Sequence, residues 1–106
     1  MSELIAFDFD GVCCTNVGAP RIGEPIQEAL DAIRNLRAMG HRVVIYSHRP
    51  HGGQENVIRD WLRLHNVEVD EVRVDKMLYR LFIDDRAIEY PRCLPLMDTI
   101  MERLAR

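Results

Sequence analysis

Three short apolar runs in this chain each stop in acidic, basic or hydroxyl groups. Leu4 to Phe7 run into Asp8-Phe9-Asp10-Gly11, Val43 to Tyr46 into Ser47-His48-Arg49, and Leu81 to Ile83 into Asp84-Asp85-Arg86. Short apolar runs bounded this way read as buried strands, although periodicity alone does not separate them from buried helix segments. Helical stripes lie between them. Ile26, Ala29, Leu30, Ile33, Leu36 and Met39 fall on one helix face, with Pro25 suited to the first turn and Gly40 to the C-terminal cap. A second helix is predicted over Gln54 to His65, with Val57, Ile58, Trp61 and Leu62 inward and Asn66 as its stop. Val67, Val69, Val72 and Val74 suit a third, weaker strand, which makes Leu81 to Ile83 the fourth. Met97, Ile100, Met101 and Leu104 fit a terminal helix, and Ala87 to Pro95, with Pro91 and Pro95, reads as irregular.

Strands alternating with helices of about a dozen residues predict βαβ units and a parallel sheet. Crossovers then place the C-terminal ends of the strands on one edge, and ligands of open α/β sheets bind in the crevice outside that edge. The polar ends of the apolar runs would meet there. At 106 residues the chain is one domain, 1–106, and its 47% hydrophobic content excludes a disordered chain. A net charge of -3 argues against a nucleic-acid partner, which usually meets a basic face. No apolar run approaches the ~18–20 residues of a membrane span, so no membrane partner is expected, and no signal peptide is visible. Three cysteines, two of them adjacent, cannot build a disulfide framework, and the expectation is a cytoplasmic protein with reduced thiols.

Four carboxylates on one edge, those of Asp8, Asp10, Asp84 and Asp85, repel one another. Either some of their pKa values rise or a cation binds. Oxygen ligands without a histidine cluster suit a hard ion such as Mg²⁺, which uses one or two carboxylates together with substrate phosphate. An acidic edge with a cation, a hydroxyl and a nearby lysine is a plausible phosphoryl-transfer site.

Asp8-Phe9-Asp10-Gly11 after one strand, Ser47 after another, then Lys76 and Asp84-Asp85 together resemble, in order, the four motifs of the haloacid dehalogenase-like superfamily. The matching span runs from Leu4 to about Arg86. Each motif is weak alone; the ordered set is specific, helped by the eight-residue step from Lys76 to Asp84. The resemblance implies a three-layer Rossmann-like fold, with a parallel sheet of about four to five strands and helices on both faces. It implies a Mg²⁺-dependent phosphohydrolase. Asp8 would be the nucleophile that forms an aspartyl-phosphate, and Asp10 the acid and then the base. Ser47 would bind the phosphoryl oxygens and Lys76 would neutralise charge. Asp8, the Asp10 backbone carbonyl and Asp84 would hold the metal, with Asp85 acting through a water. Asp10 favours phosphate chemistry over dehalogenation, because the carbon–halogen-cleaving branch lacks it. Only 36 residues lie between Asp10 and Ser47 and 28 between Ser47 and Lys76, too few for a cap domain. Such an open site takes a large phosphorylated substrate, is closed by a second copy of the chain, or discriminates poorly. Val12 to Gly23 would be a short flap beside it.

Other residues weigh less. Gly11, His48 and Arg49 are candidates for substrate contact, and His51 flanks the same crevice; for Arg49 simple ion pairing competes. Cys13 and Cys14 read as packing residues, since adjacent cysteines have the wrong spacing for zinc. Different classes of function also compete. A phosphorylatable signalling domain would carry its acidic pair first and its lysine last, the reverse of the order here. A topoisomerase-primase type enzyme would carry an early Glu before its DxD. A catalytically silent relative used as a regulatory or assembly subunit would show the same motifs.

Overall fold

The computed structural model describes residues 2–49, 52–77, 79–93 and 95–106. The elements run β1 (Leu4–Asp8), α1 (Gln27–Ala38), β2 (Arg42–Tyr46), α2 (Gln54–Leu64), β3 (Glu71–Arg73) and α3 (Leu96–Leu104). The strands form one parallel sheet in the order β1-β2-β3. Register pairs Ile5 with Val43, Phe7 with Ile45, and Ile45 with Val72. Side chains alternate across a strand, so these residues share one face. That face meets Ala29, Leu30, Ile33 and Leu36 of α1 and Ile58 and Leu62 of α2 in a single core. With strands in sequential order, right-handed crossovers put α1 and α2 on the same side.

Both helices end for a reason written in the chain. After α1 the Gly40 amide donates to the Arg37 carbonyl and the His41 amide to the Leu36 carbonyl, with Gly40 at φ +93°. After α2, Asn66 takes the same left-handed position at φ 61°, and the Val67 amide reaches the Leu62 carbonyl. This is the Schellman arrangement, which satisfies the last carbonyls of a helix.

Several expectations need correction. The sheet has three strands, where about four to five were expected. Leu81, Phe82 and Ile83 form no strand and are 78%, 63% and 94% exposed. Without a fourth strand beyond β1, no crossover carries the chain over the second face, so the described helices do not sandwich the sheet. α3 packs on α1, and its Leu96 and Ile100 join the same core. On the second face Leu4, Ala6, Arg42, Glu71 and Arg73 are exposed, while Val44 is buried. Within the helices, Val57 points to solvent and Trp61 is only half-buried, set edge-on to Phe9 at 5.3 Å. Gln54 is the residue buried at the start of α2. Pro25 precedes the α1 N-cap, Ile26. Val67 and Val69 are buried ahead of β3 without joining its ladder. Met101 is exposed and Leu96 takes the inward role. No described helix is long and apolar enough to cross a membrane.

Ile45 pairs with both neighbouring strands and has no exposed surface. Ile45→Ala is expected to cost about 2–5 kcal/mol, read from the midpoint of denaturant unfolding. Val57→Ala in the same assay should stay within about 0.5 kcal/mol.

Candidate functional site

Register sets Asp8 level with Tyr46 and Tyr46 level with Arg73, so the three strands finish at one edge. The chain is stitched together just beyond it. The Ser47 amide donates to the Arg73 carbonyl at 2.8 Å, and the Lys76 amide donates to the Ser47 carbonyl at 3.2 Å. This return delivers Lys76 to Asp8. Nζ stands 3.3 Å from Oδ2 and 5.9 Å from the centre of the Tyr46 ring. The other carboxylate oxygen of Asp8 accepts the Phe9 amide at 2.8 Å, which fixes the side chain and leaves Oδ2 facing the ammonium. His48 Nδ1 lies 2.7 Å from the Lys76 carbonyl oxygen. A carbonyl can only accept, so Nδ1 carries the proton and ties the imidazole to the lysine's loop.

Ser47 is 1% exposed and its Oγ has no hydrogen-bond partner among the described residues. An unsatisfied buried hydroxyl costs about 1–3 kcal/mol, and folded proteins leave few of them without a ligand or water to bind.

Asp10 sits in a tight loop. The Phe9 carbonyl accepts from the amides of Val12, Cys13 and Cys14, and Gly11 makes the turn at φ +91°. The Gly11 amide donates to the Cys14 carbonyl at 2.8 Å, so Gly11 serves the turn and offers a substrate no N–H. Arg49 also departs from the sequence expectation of substrate contact. It is fully buried, and Nε and Nη2 grip Asp10 at 3.0 and 2.7 Å. Its remaining bonds go to the carbonyls of Pro20 and Arg21 and to Gln54 Oε1. A guanidinium has five N–H donors, and all five are spent within the chain. Gln54 and the two flap carbonyls were invisible in the sequence as site components.

Cys13 and Cys14 pack beneath the loop, with their thiols directed at the carbonyls of Asp8 and Phe9. Burial first, then nearby negative charge, pushes both thiols up; for Cys14 the rise is from 9.0 to about 11, with Asp10 the second cause.

Asp8, Asp10, His48, Lys76, Asp84 and Asp85 line one cleft of about 1400 Å³. The structure clusters Asp8, Asp10, Ser47, Lys76, His48 and Arg49 at the sheet edge. Asp84 and Asp85 share the cleft wall without joining that cluster, and Asp84 Oδ1 instead accepts the Arg86 amide at 2.6 Å. Among the described residues, no three of His, Cys, Asp and Glu are grouped to hold a metal ion. His51 lies outside the described residues.

No protein-family model matches the chain, and no curated protein matches it either. Solved structures do. A conserved protein from Bacteroides thetaiotaomicron is 29% identical with a TM-score of 0.69, over 94% of this chain and 90% of its own. A structural-genomics target from Vibrio cholerae is 22% identical with a TM-score of 0.73, over 99% of this chain and 98% of its own. The likeness runs nearly end to end in both, so the small α/β fold is shared.

At pH 8, thiol reagents should leave Cys13 and Cys14 unmodified in the folded protein and reach them on unfolding. Rapid labelling of either thiol in the native state would contradict the packing described. The folded state holds these protons to higher pH than the unfolded chain does. Their contribution to stability is therefore complete below about pH 9 and is lost as pH rises toward 11 and above. The melting temperature should fall across that window, and less steeply in Cys14→Ala.

Proposed function

We propose that this chain is a Mg²⁺-dependent phosphohydrolase of the haloacid dehalogenase-like type, acting on a phosphate monoester through an aspartyl-phosphate. One observation carries the reading. The chain's single lysine, Lys76, lies against Asp8 across 68 positions of sequence, at the edge that also holds the unpartnered Ser47 hydroxyl. Asp8 Oδ2 attacks phosphorus, and the bond to the leaving oxygen breaks with its electron pair going to that oxygen, which takes a proton from Asp10. Water then attacks the acyl-phosphate, giving its proton to Asp10 and releasing phosphate and free Asp8. Lys76 and Ser47 hold the phosphoryl oxygens. The donor set fits a hard cation: carboxylate and carbonyl oxygens without nitrogen or sulfur. Asp8, the Asp10 carbonyl and Asp84 would hold Mg²⁺, with Asp85 behind a water, and the ion would offset charge on the phosphoryl group.

The same reading includes a fourth strand. The outer edge of β1 has no ladder partner among the described residues, and it lines the same cleft as Phe82, Asp84 and Asp85. Parallel sheets are otherwise found buried, and a bare edge invites pairing. Leu81 to Ile83 pairing with β1 would remove three large apolar side chains from water and set Asp84 beside Asp8. Among the described residues no cap covers the cleft, which leaves room for a large phosphorylated substrate or for closure by a second copy.

Purified protein should release phosphate from p-nitrophenyl phosphate with millimolar Mg²⁺ and lose that activity with chelator or in Asp8→Asn. Full activity in Asp8→Asn would end the proposal. A phosphoprotein that persists after acetyl phosphate treatment would point to a signalling domain instead. For the strand, Ile83→Asn should lower stability by about 2–4 kcal/mol if the side chain is buried against β1. A change within about 0.5 kcal/mol would leave it at the surface.

A further inference from the structure

We propose that Arg49 is a positioning residue that makes the orientation of Asp10 and the placement of the 12–23 flap a single degree of freedom. This rests on the phosphohydrolase reading for its consequence, since Asp10 is there the acid and base. The geometry is that of a hub. The guanidinium has no exposed surface and lies 5.4 Å from the centre of the Phe9 ring. It takes both carboxylate oxygens of Asp10, the carbonyls of Pro20 and Arg21, and Gln54 Oε1. A buried charge must remain paired, and the Asp10 carboxylate is the only charged group among the four that Arg49 bonds. Arg49 therefore cannot turn from Asp10, and the Asp10 carboxylate cannot rotate without breaking two bonds at once.

The flap depends on the same group. Its base is closed by the Thr15 amide on the Glu24 carbonyl and the Glu24 amide on Thr15 Oγ1. From Thr15 to Arg21 every residue is exposed. The arm is drawn inward at 20 and 21 by Arg49, with Ile22 packing on the core beside it. A substrate that displaces the flap pulls on the guanidinium, and through it on Asp10. Lysine in this place would keep the charge and lose the planar fork that spans four partners.

The test uses the full chain with Arg49→Lys, two esters and amide hydrogen exchange. An alkyl phosphate such as glycerol phosphate needs its leaving oxygen protonated, whereas p-nitrophenyl phosphate does not. Loss of positioning should lower kcat on the alkyl ester about tenfold or more and at least as much as on the aryl ester, whose loss reports the hydrolysis step both share, with KM little changed. Exchange at the Arg21 amide, bonded to the Gly18 carbonyl, should quicken. A loss on the alkyl ester of no more than about threefold, or unchanged exchange, would overturn the proposal. If the wild-type protein hydrolyses neither ester, the phosphohydrolase reading falls, and exchange alone decides whether Arg49 couples flap and loop. If Arg49→Lys does not fold, Asp10→Asn replaces it: faster flap exchange supports the coupling, and an unchanged pattern refutes it.

Discussion

The parallel ladder between β1 and β2 is the constraint on which the site depends. It pairs Asp8 with Tyr46, so the residues that follow each strand leave the sheet side by side. Ser47 is buried because it continues β2 past its last paired residue, and Asp10 leaves the plane because Gly11 allows the turn. A slip of one residue would reverse the facing of every side chain on β1. Ile5 and Phe7 would then face water, so the core that buries them holds the register. The apolar face of the sheet thereby fixes the polar edge.

Burial is unequal around the sheet, and this explains where the molecule is firm. The face against α1 and α2 is closed by fully buried residues such as Val43, Ile45, Leu30 and Ile58. Among the described residues the opposite face and the outer edge of β1 have no such cover, and the large exposed side chains of Leu81, Phe82 and Ile83 stand nearby. Asp84 and Asp85 follow directly on those three residues. Their relation to Asp8 is therefore governed by the pairing of this short segment, while Ser47 and Lys76 are placed by bonds already made.

The sequence was most legible where a single local rule decided the outcome. The strands before Asp8 and Ser47, the two long helices, and the stops at Gly40 and Asn66 all follow from period and cap chemistry. Leu81 to Ile83 has the same apolar signature as the first two runs, but a strand exists only when a neighbour pairs with it, and that is tertiary information. Val57 and Trp61 misled because a stripe two residues wide on α2 can rotate by part of a turn without changing its pattern. The approach of Lys76 to Asp8 was legible only through the order of the motifs. The guanidinium hub was not legible at all. Nothing in Arg49, Pro20, Arg21 and Gln54 as letters says that one side chain will satisfy main-chain carbonyls almost thirty positions away.

The two cations of the site differ in the property that decides their chemistry, which is access to water. Each stands against one carboxylate of the Asp8-x-Asp10 pair, Lys76 at 3.3 Å and Arg49 at 2.7 Å. The Lys76 side chain keeps 29% of its surface and the Arg49 side chain keeps none. For charges near a protein surface, attraction at about 4 Å is worth about 4 kcal/mol before desolvation, and solvent lowers the cost of exchanging one anion for another. Lys76 can therefore turn from Asp8 toward another anion, its four-carbon stem supplying the reach. Arg49 has no comparable exchange open to it, because leaving Asp10 would strand a charge in the core. On the phosphohydrolase reading proposed above, the two would divide the work: Lys76 would follow the charge that moves from substrate to enzyme, and Arg49 would keep the Asp10 carboxylate in place while it does.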